Sequence, residues 1–224
     1  PRRAALLHQL ANIYLFTGHL DEAVKAGLAS CTLWRDLADV GKQAETYLDV
    51  AFFCHWQGRE WEAVKYIQSA LECLNVDVRD AVSHPSPMYR PTGGHEPTPQ
   101  EIYLTAKAYT QWGMAATIMG EIPQALDKLH QADLLHQQIG ANDPFISIVS
   151  LWSLSWCAFI TEPPRQMLAY ALQAREVCRT SNKPEWEPMM NYTAAWAYML
   201  LGQLPEGEQA ARQALKEAEQ HGVV

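Results

Sequence analysis

Apolar residues recur every third or fourth position over most of the chain, the spacing that keeps them on one face of an α-helix. Short polar turns punctuate the blocks. The stretch from Leu10 to Ala29 sets the pattern, two amphipathic segments joined at Gly18. The turn returns at Gly58, Gly120 and Gly202, with Glu162 in the equivalent place, at intervals of 40, 62, 42 and 40 residues. The long interval exceeds one period by 22 residues, the length of the segment 77–98, which carries prolines at 85, 87, 91 and 97. Setting it aside restores the period. The expected organisation is one continuous solenoid domain: repeats 1 and 2 over 1–76, a proline-rich inserted loop over 77–98, and repeats 3 to 5 over 99–224.

Aligned on their turns, the units place small residues where close-packed helices need them. Seven positions before the turn stand Ala11, Ala51, Gly113, Ser155 and Ala195; twelve after it stand Ser30, Ala70, Ala132, Ala174 and Ala214. A third marker, five after the turn, holds as Ala23, Ala63 and Ala125 and then changes to Met167 and Gly207, which leaves the fourth unit most divergent. Thr98-Pro99-Gln100-Glu101 reads as a capping box with proline at N1, and Asn142-Asp143-Pro144 and Asn182-Lys183-Pro184 offer similar starts. The pattern predicts ten helices, over 4–17, 20–37, 40–57, 60–75, 99–119, 121–140, 144–161, 163–180, 184–201 and 204–221.

The run L-A-x-x-Y-x-x-x-G-x-L-D-E-A from Leu10 to Ala23 resembles the tetratricopeptide repeat family, and the resemblance covers nearly everything outside 77–98. It implies an all-α, right-handed α-solenoid of about five antiparallel helix pairs, with a concave surface lined by the first helix of each pair. The longer period and the missing closing proline depart from that family and imply helices extended by about a turn. Similar forty-residue repeats form sensor or scaffold segments of bacterial multidomain signalling ATPases and of large transcription activators such as the maltose-regulon activator. A parent protein of that class is implied, and a chain starting at Pro1 reads as a piece of something longer.

Composition narrows the function. A net charge of −8 and a pI near 5.4 exclude direct nucleic-acid binding, which needs a clustered basic surface. No run of about 18 apolar residues stands out as a membrane span. Five cysteines without C-x-x-C spacing point to a reducing, cytoplasmic setting. No enzyme signature has the required spacing: Gly41-Lys42 lacks the P-loop context, His95-Glu96 runs into Pro97, and Cys54 and His55 are adjacent and diverge on a helix. His130 and His136 are six apart, on different faces, and read as surface residues. No metal, no cofactor and no catalysis are expected.

The informative positions lie on the first helices, where residues four apart share a face. The five columns are His8/Asn12/Phe16, Leu48/Phe52/Trp56, Thr110/Met114/Ile118, Trp152/Trp156/Ile160 and Tyr192/Trp196/Leu200, with His55 and Phe159 beside them. Two readings compete: the aromatics are core of a tightly wound stack, or they line an apolar groove for a ligand. On the second, Asn12, Phe16, Phe52, His55, Trp56, Met114, Trp152, Trp156, Tyr192 and Trp196 form the site, with Asn12 and His55 fixing orientation and no basic clamp in the columns. The ligand is a protein or peptide, with a sugar-like small molecule as the alternative and self-association as a third possibility. The insert is an exposed loop, or a lid tipped by Met88 and Tyr89. Glu208, Arg212, Lys216 and Glu219 give the last helix a charged outer face suited to ending a stack, and Leu6, Leu7 and Leu10 suggest that α-helical material precedes the first.

Overall fold

The computed structural model describes residues 1–76, 96–140 and 143–221. Among them run ten α-helices: α1 (Arg2–Phe16), α2 (Leu20–Asp36), α3 (Val40–Trp56), α4 (Glu60–Cys73), α5 (Pro99–Ile118), α6 (Ile122–Ile139), α7 (Pro144–Thr161), α8 (Pro164–Thr180), α9 (Glu187–Leu200) and α10 (Leu204–His221). Each odd-numbered helix packs on the even-numbered helix that follows it, and successive pairs stack through α2 on α3, α4 on α5, α6 on α7 and α8 on α9. The architecture is an all-α solenoid of five antiparallel pairs. Helix α5 packs directly on α3 and α4, so the repeat geometry carries across the inserted segment. Met88 and Tyr89 lie outside the described residues.

Backbone chemistry explains the period. Gly18, Gly58, Gly120 and Gly202 adopt left-handed φ values of 67° to 78°, which cost glycine nothing. After each, the next amide donates to the carbonyl five residues back, from His19 to Tyr14, Arg59 to Cys54, Glu121 to Ala116 and Gln203 to Tyr198. These are Schellman closures of the first helix. Glu162 is extended instead (φ −133°, ψ 169°), because Pro163 follows it and has no N–H to make that bond. The divergence of the fourth unit thus has a covalent cause. A second series of left-handed residues, Ala38, Asn75, Gly140 and Asn182, ends the second helices that precede a new unit.

All ten small residues of the two markers are buried. A methyl group placed on Gly113 would stand 2.6 Å from Leu129 Cγ, which shows why that position admits so little. The capping box at Thr98 and Glu101 forms as expected, and Asp143, not Asn142, caps α7 by accepting from the Phe145 amide. The start expected at Pro184 is corrected: residues Pro184–Trp186 form a 3₁₀ turn and the α-helix begins at Glu187. Pro188 has no N–H to donate to the Pro184 carbonyl, so the first turn tightens.

A second correction concerns membrane-spanning potential. By length and composition α7 could cross a bilayer, because its serines interrupt the apolar run without adding charge. In the fold it packs against α5, α6, α8 and α9.

Candidate functional site

The first-helix face is the inner face of the stack, and one contact proves it. Phe52 of α3 lies 5.4 Å from Phe145, at the start of α7, and 6.0 Å from Trp186, ahead of α9. Rings from the second, fourth and fifth units meet only where the array curves towards itself. Trp56 completes this cluster edge-on to Phe52 at 6.1 Å.

Behind the aromatic cluster runs a polar chain that links three units. His8 Nε2 donates to Asp49 Oδ2 at 2.6 Å, and Lys107 Nζ donates to Asp49 Oδ1 at 3.0 Å. All three side chains are largely buried. Burial alone would raise the Asp49 pKa, but the Lys107 ammonium and the His8 hydrogen bond outweigh it and hold the carboxyl at about 2. Lys107 also lies 5.4 Å from the centre of the Phe145 ring. Next to it, Tyr103 donates to Asp143 at 2.6 Å, and the Asp143 amide donates to His136 Nε2 at 3.1 Å. Burial and then the Asp143 carboxylate push the Tyr103 hydroxyl up. His136 is therefore a half-buried tie between α6 and α7 rather than a surface residue; His130 is exposed.

The predicted columns divide by depth. Leu48 and Thr110 are fully enclosed, and Met114 is 6% exposed, so Met114 belongs to the core and offers no open surface. His55 is enclosed too, with Nδ1 donating to Glu60 Oε2 at 2.5 Å. Asn12 is half-buried and donates to the His8 carbonyl at 3.2 Å. Phe52, Trp152 and Trp156 are half-buried. Trp156 stands edge-on to Phe159 at 6.0 Å and to Trp152 at 6.4 Å. The last member of every column stays open: Phe16, Trp56, Ile118, Ile160 and Leu200 are between 44% and 83% exposed. Tyr192 and Trp196 extend this surface in the fifth unit. The structure thus brings Phe16, Trp56, Tyr192 and Trp196 to the open face and withdraws His55 and Met114 from it.

Lys107, Tyr103, Phe145 and Trp186 escaped the columns because these began ten residues before the turn. Continuing the same stripe by one or two helical turns reaches Lys107 and Tyr103 in unit 3 and Phe145 in unit 4. The stripe therefore does contain a cation, already tied to Asp49.

Gln111, at the same repeat position as Asp49, is fully buried, and neither atom of its side-chain amide has a partner among the described residues. Where Asp49 has His8 before it and Lys107 after it, the repeat gives Gln111 the apolar Leu48 and Val149. Replacing it with methionine should stabilise the fold by about 1 kcal/mol, since a buried amide without partners costs roughly 1–3 kcal/mol. A lower melting temperature for Gln111→Met would contradict this.

No family model and no curated protein matches the sequence. Solved structures do match the fold. A signal transduction ATPase with numerous domains and a tetratricopeptide repeat sensor, from Pyrococcus horikoshii, superposes with a TM-score of 0.63 at 15% identity. That match covers 98% of this chain and 29% of that one. Aspartyl phosphate phosphatase F from Bacillus subtilis gives a TM-score of 0.64 at 13% identity, covering 100% of this chain and 54% of that one. The fold is tetratricopeptide-like. This chain spans less than a third of the ATPase and about half of the phosphatase.

Proposed function

We propose that this solenoid is a non-catalytic sensor or scaffold segment of a larger signalling or transcription-regulatory protein, and that its inner face binds a peptide segment of a protein partner. The observation that carries the reading is the row Phe16, Trp56, Ile118, Ile160 and Leu200. Each unit contributes one exposed apolar side chain at the same repeat position, and a contiguous apolar surface of this kind marks an interaction site. Counting from each turn residue to the fourth beyond it, the five units hold seven carboxylates and two arginines. An apolar peptide bearing lysine or arginine therefore fits better than an acidic one. Tetratricopeptide-like neighbours with a sensor role support the reading. The sugar-like alternative has less in its favour, because Trp152, Trp156 and Phe159 turn edges to one another instead of presenting parallel open faces.

The test is a fluorescence-anisotropy screen of labelled peptides against the chain and its Ile118→Glu/Ile160→Glu variant. Both residues are about half exposed or more, so the variant should keep its melting temperature. Peptide affinity should fall at least about tenfold, the size of effect expected when one or two interface anchors are lost. Binders that ignore these substitutions and crosslink only to the second helices would refute the assignment.

A further inference from the structure

Inside the stack, each first helix is covered by the pair before it through positions 12, 8 and 5 residues ahead of its turn. In the second unit these are Thr46, Val50 and Phe53, all buried, and a methyl group on Gly27 of α2 would stand 2.4 Å from Val50. The equivalent positions in the third to fifth units are also buried, Ser150 and Leu154 being half-buried. On α1 the same three positions hold Leu6, Leu10 and Ile13, and all are exposed, Leu6 by 64% and Ile13 by 57%. The surface that every other unit seals is apolar and open at this end.

The opposite end shows the matching surface. Gly27 stands nine residues after its turn, and its equivalents in units 2 to 4 are buried. On α10 that position is Ala211, which is exposed. Four residues on, Leu215 is 59% exposed, although Cys31 and Leu71 at its position are sealed. The charged row from Glu208 to Glu219 lies on other faces of α10, so it does not close this one. Charge also matches. Helix α1 carries Arg2 and Arg3 and no carboxylate, whereas α10 carries Glu206, Glu208, Glu217 and Glu219 against Arg212 and Lys216.

We propose that a second copy of this chain docks head to tail, α1 of one copy seated on the α9–α10 pair of the next in the register that seats α3 on α2. Ala211 then faces Leu10 and Ile13, as Gly27 faces Val50 and Phe53. The Cys31 thiol lies 4.0 Å from the Gln43 carbonyl; by the same register Arg3 comes to Leu215, one turn from Glu219. Because the two surfaces differ, the contact leaves a free head and a free tail and extends the superhelix copy by copy. This inference is independent of what the inner face binds.

Sedimentation velocity on the 224-residue chain tests it, over concentrations from about 1 μM to about 1 mM, the range where weak interfaces populate. The weight-average mass should rise beyond that of a dimer. Leu6→Glu/Ile13→Glu blocks the head and Leu215→Glu blocks the tail, so each variant should be monomeric alone. Mixed in equal amounts they should form a dimer and nothing larger. As a check free of apolar substitution, Arg3→Glu should weaken association at least about fivefold and Glu219→Arg in the same chain should restore it, within the range for interface charge pairs. A wild-type chain that stays monomeric throughout overturns the proposal. So does one whose association survives Leu215→Glu while the head variant abolishes it, since that indicates head-to-head pairing.

Discussion

Asp49→Asn should lower the melting temperature by about 4–8 °C. The folded chain holds the Asp49 carboxyl at about 2 against an ordinary 3.8, a difference worth roughly 2 kcal/mol. For a chain of this size each kilocalorie moves the midpoint by about 2–4 °C. Because the folded value is depressed, the stabilisation is complete above about pH 5 and is lost as pH falls from there towards 2. The wild-type chain should therefore lose part of its stability over that acid range, and the asparagine variant should show a shallower decline. Lys107→Met in the variant should cost less than in the wild type, since the lysine has already lost its partner and burying an unpaired charge is itself unfavourable. Melting curves from pH 7 to pH 2.5 provide the check. Equal midpoints and parallel acid branches would mean that the His8–Asp49–Lys107 chain contributes nothing.

Gly113→Ala should destabilise the fold by about 2 kcal/mol, in spite of a helix-propensity gain of about 1 kcal/mol from replacing a mid-helix glycine. The added methyl would meet Leu129 Cγ at 2.6 Å and Leu129 Cδ2 at 2.7 Å, with the Ala125 carbonyl at 3.4 Å behind. Leu129 is itself almost fully buried and has nowhere to retreat, so the overpacking term of about 1–3 kcal/mol or more outweighs the gain. The compensating change is specific. Leu129→Ala alone should cost about 2–5 kcal/mol, whereas adding Gly113→Ala to it should be neutral or better. Chemical denaturation of the two single variants and the double variant measures the coupling. Additive effects would show that the clash is relieved elsewhere.

Most of the fold was legible because each of its determinants is local. Gly18, Gly58, Gly120 and Gly202 announce left-handed turns directly, and the small residues at fixed distances from them report helix contacts that period and composition alone would miss. The inner face was less legible. Phe52 looked like one more groove aromatic, yet it is half-covered by Phe145 and Trp186, residues 93 and 134 positions downstream. Curvature brings those rings together, and curvature depends on small angular offsets summed over several units, which no single segment encodes. Met114 and His55 were placed on the open face by spacing that was correct; depth along the helix, set by neighbouring units, withdrew them. Lys107 and Tyr103 were overlooked because the stripe was cut short. Ala38 carries no signal at all for its left-handed backbone.

The joint between α7 and α8 gives the array a natural seam. Wherever glycine occupies the turn, an amide clips the first helix shut before the second begins, but at Glu162 and Pro163 the two helices are held by side-chain packing alone. New termini introduced there would interrupt no Schellman clip. Of the five within-pair turns, this is therefore the one at which a circularly permuted chain should reassemble most readily, and the one where evolution could splice in a loop with the least disturbance to the units on either side.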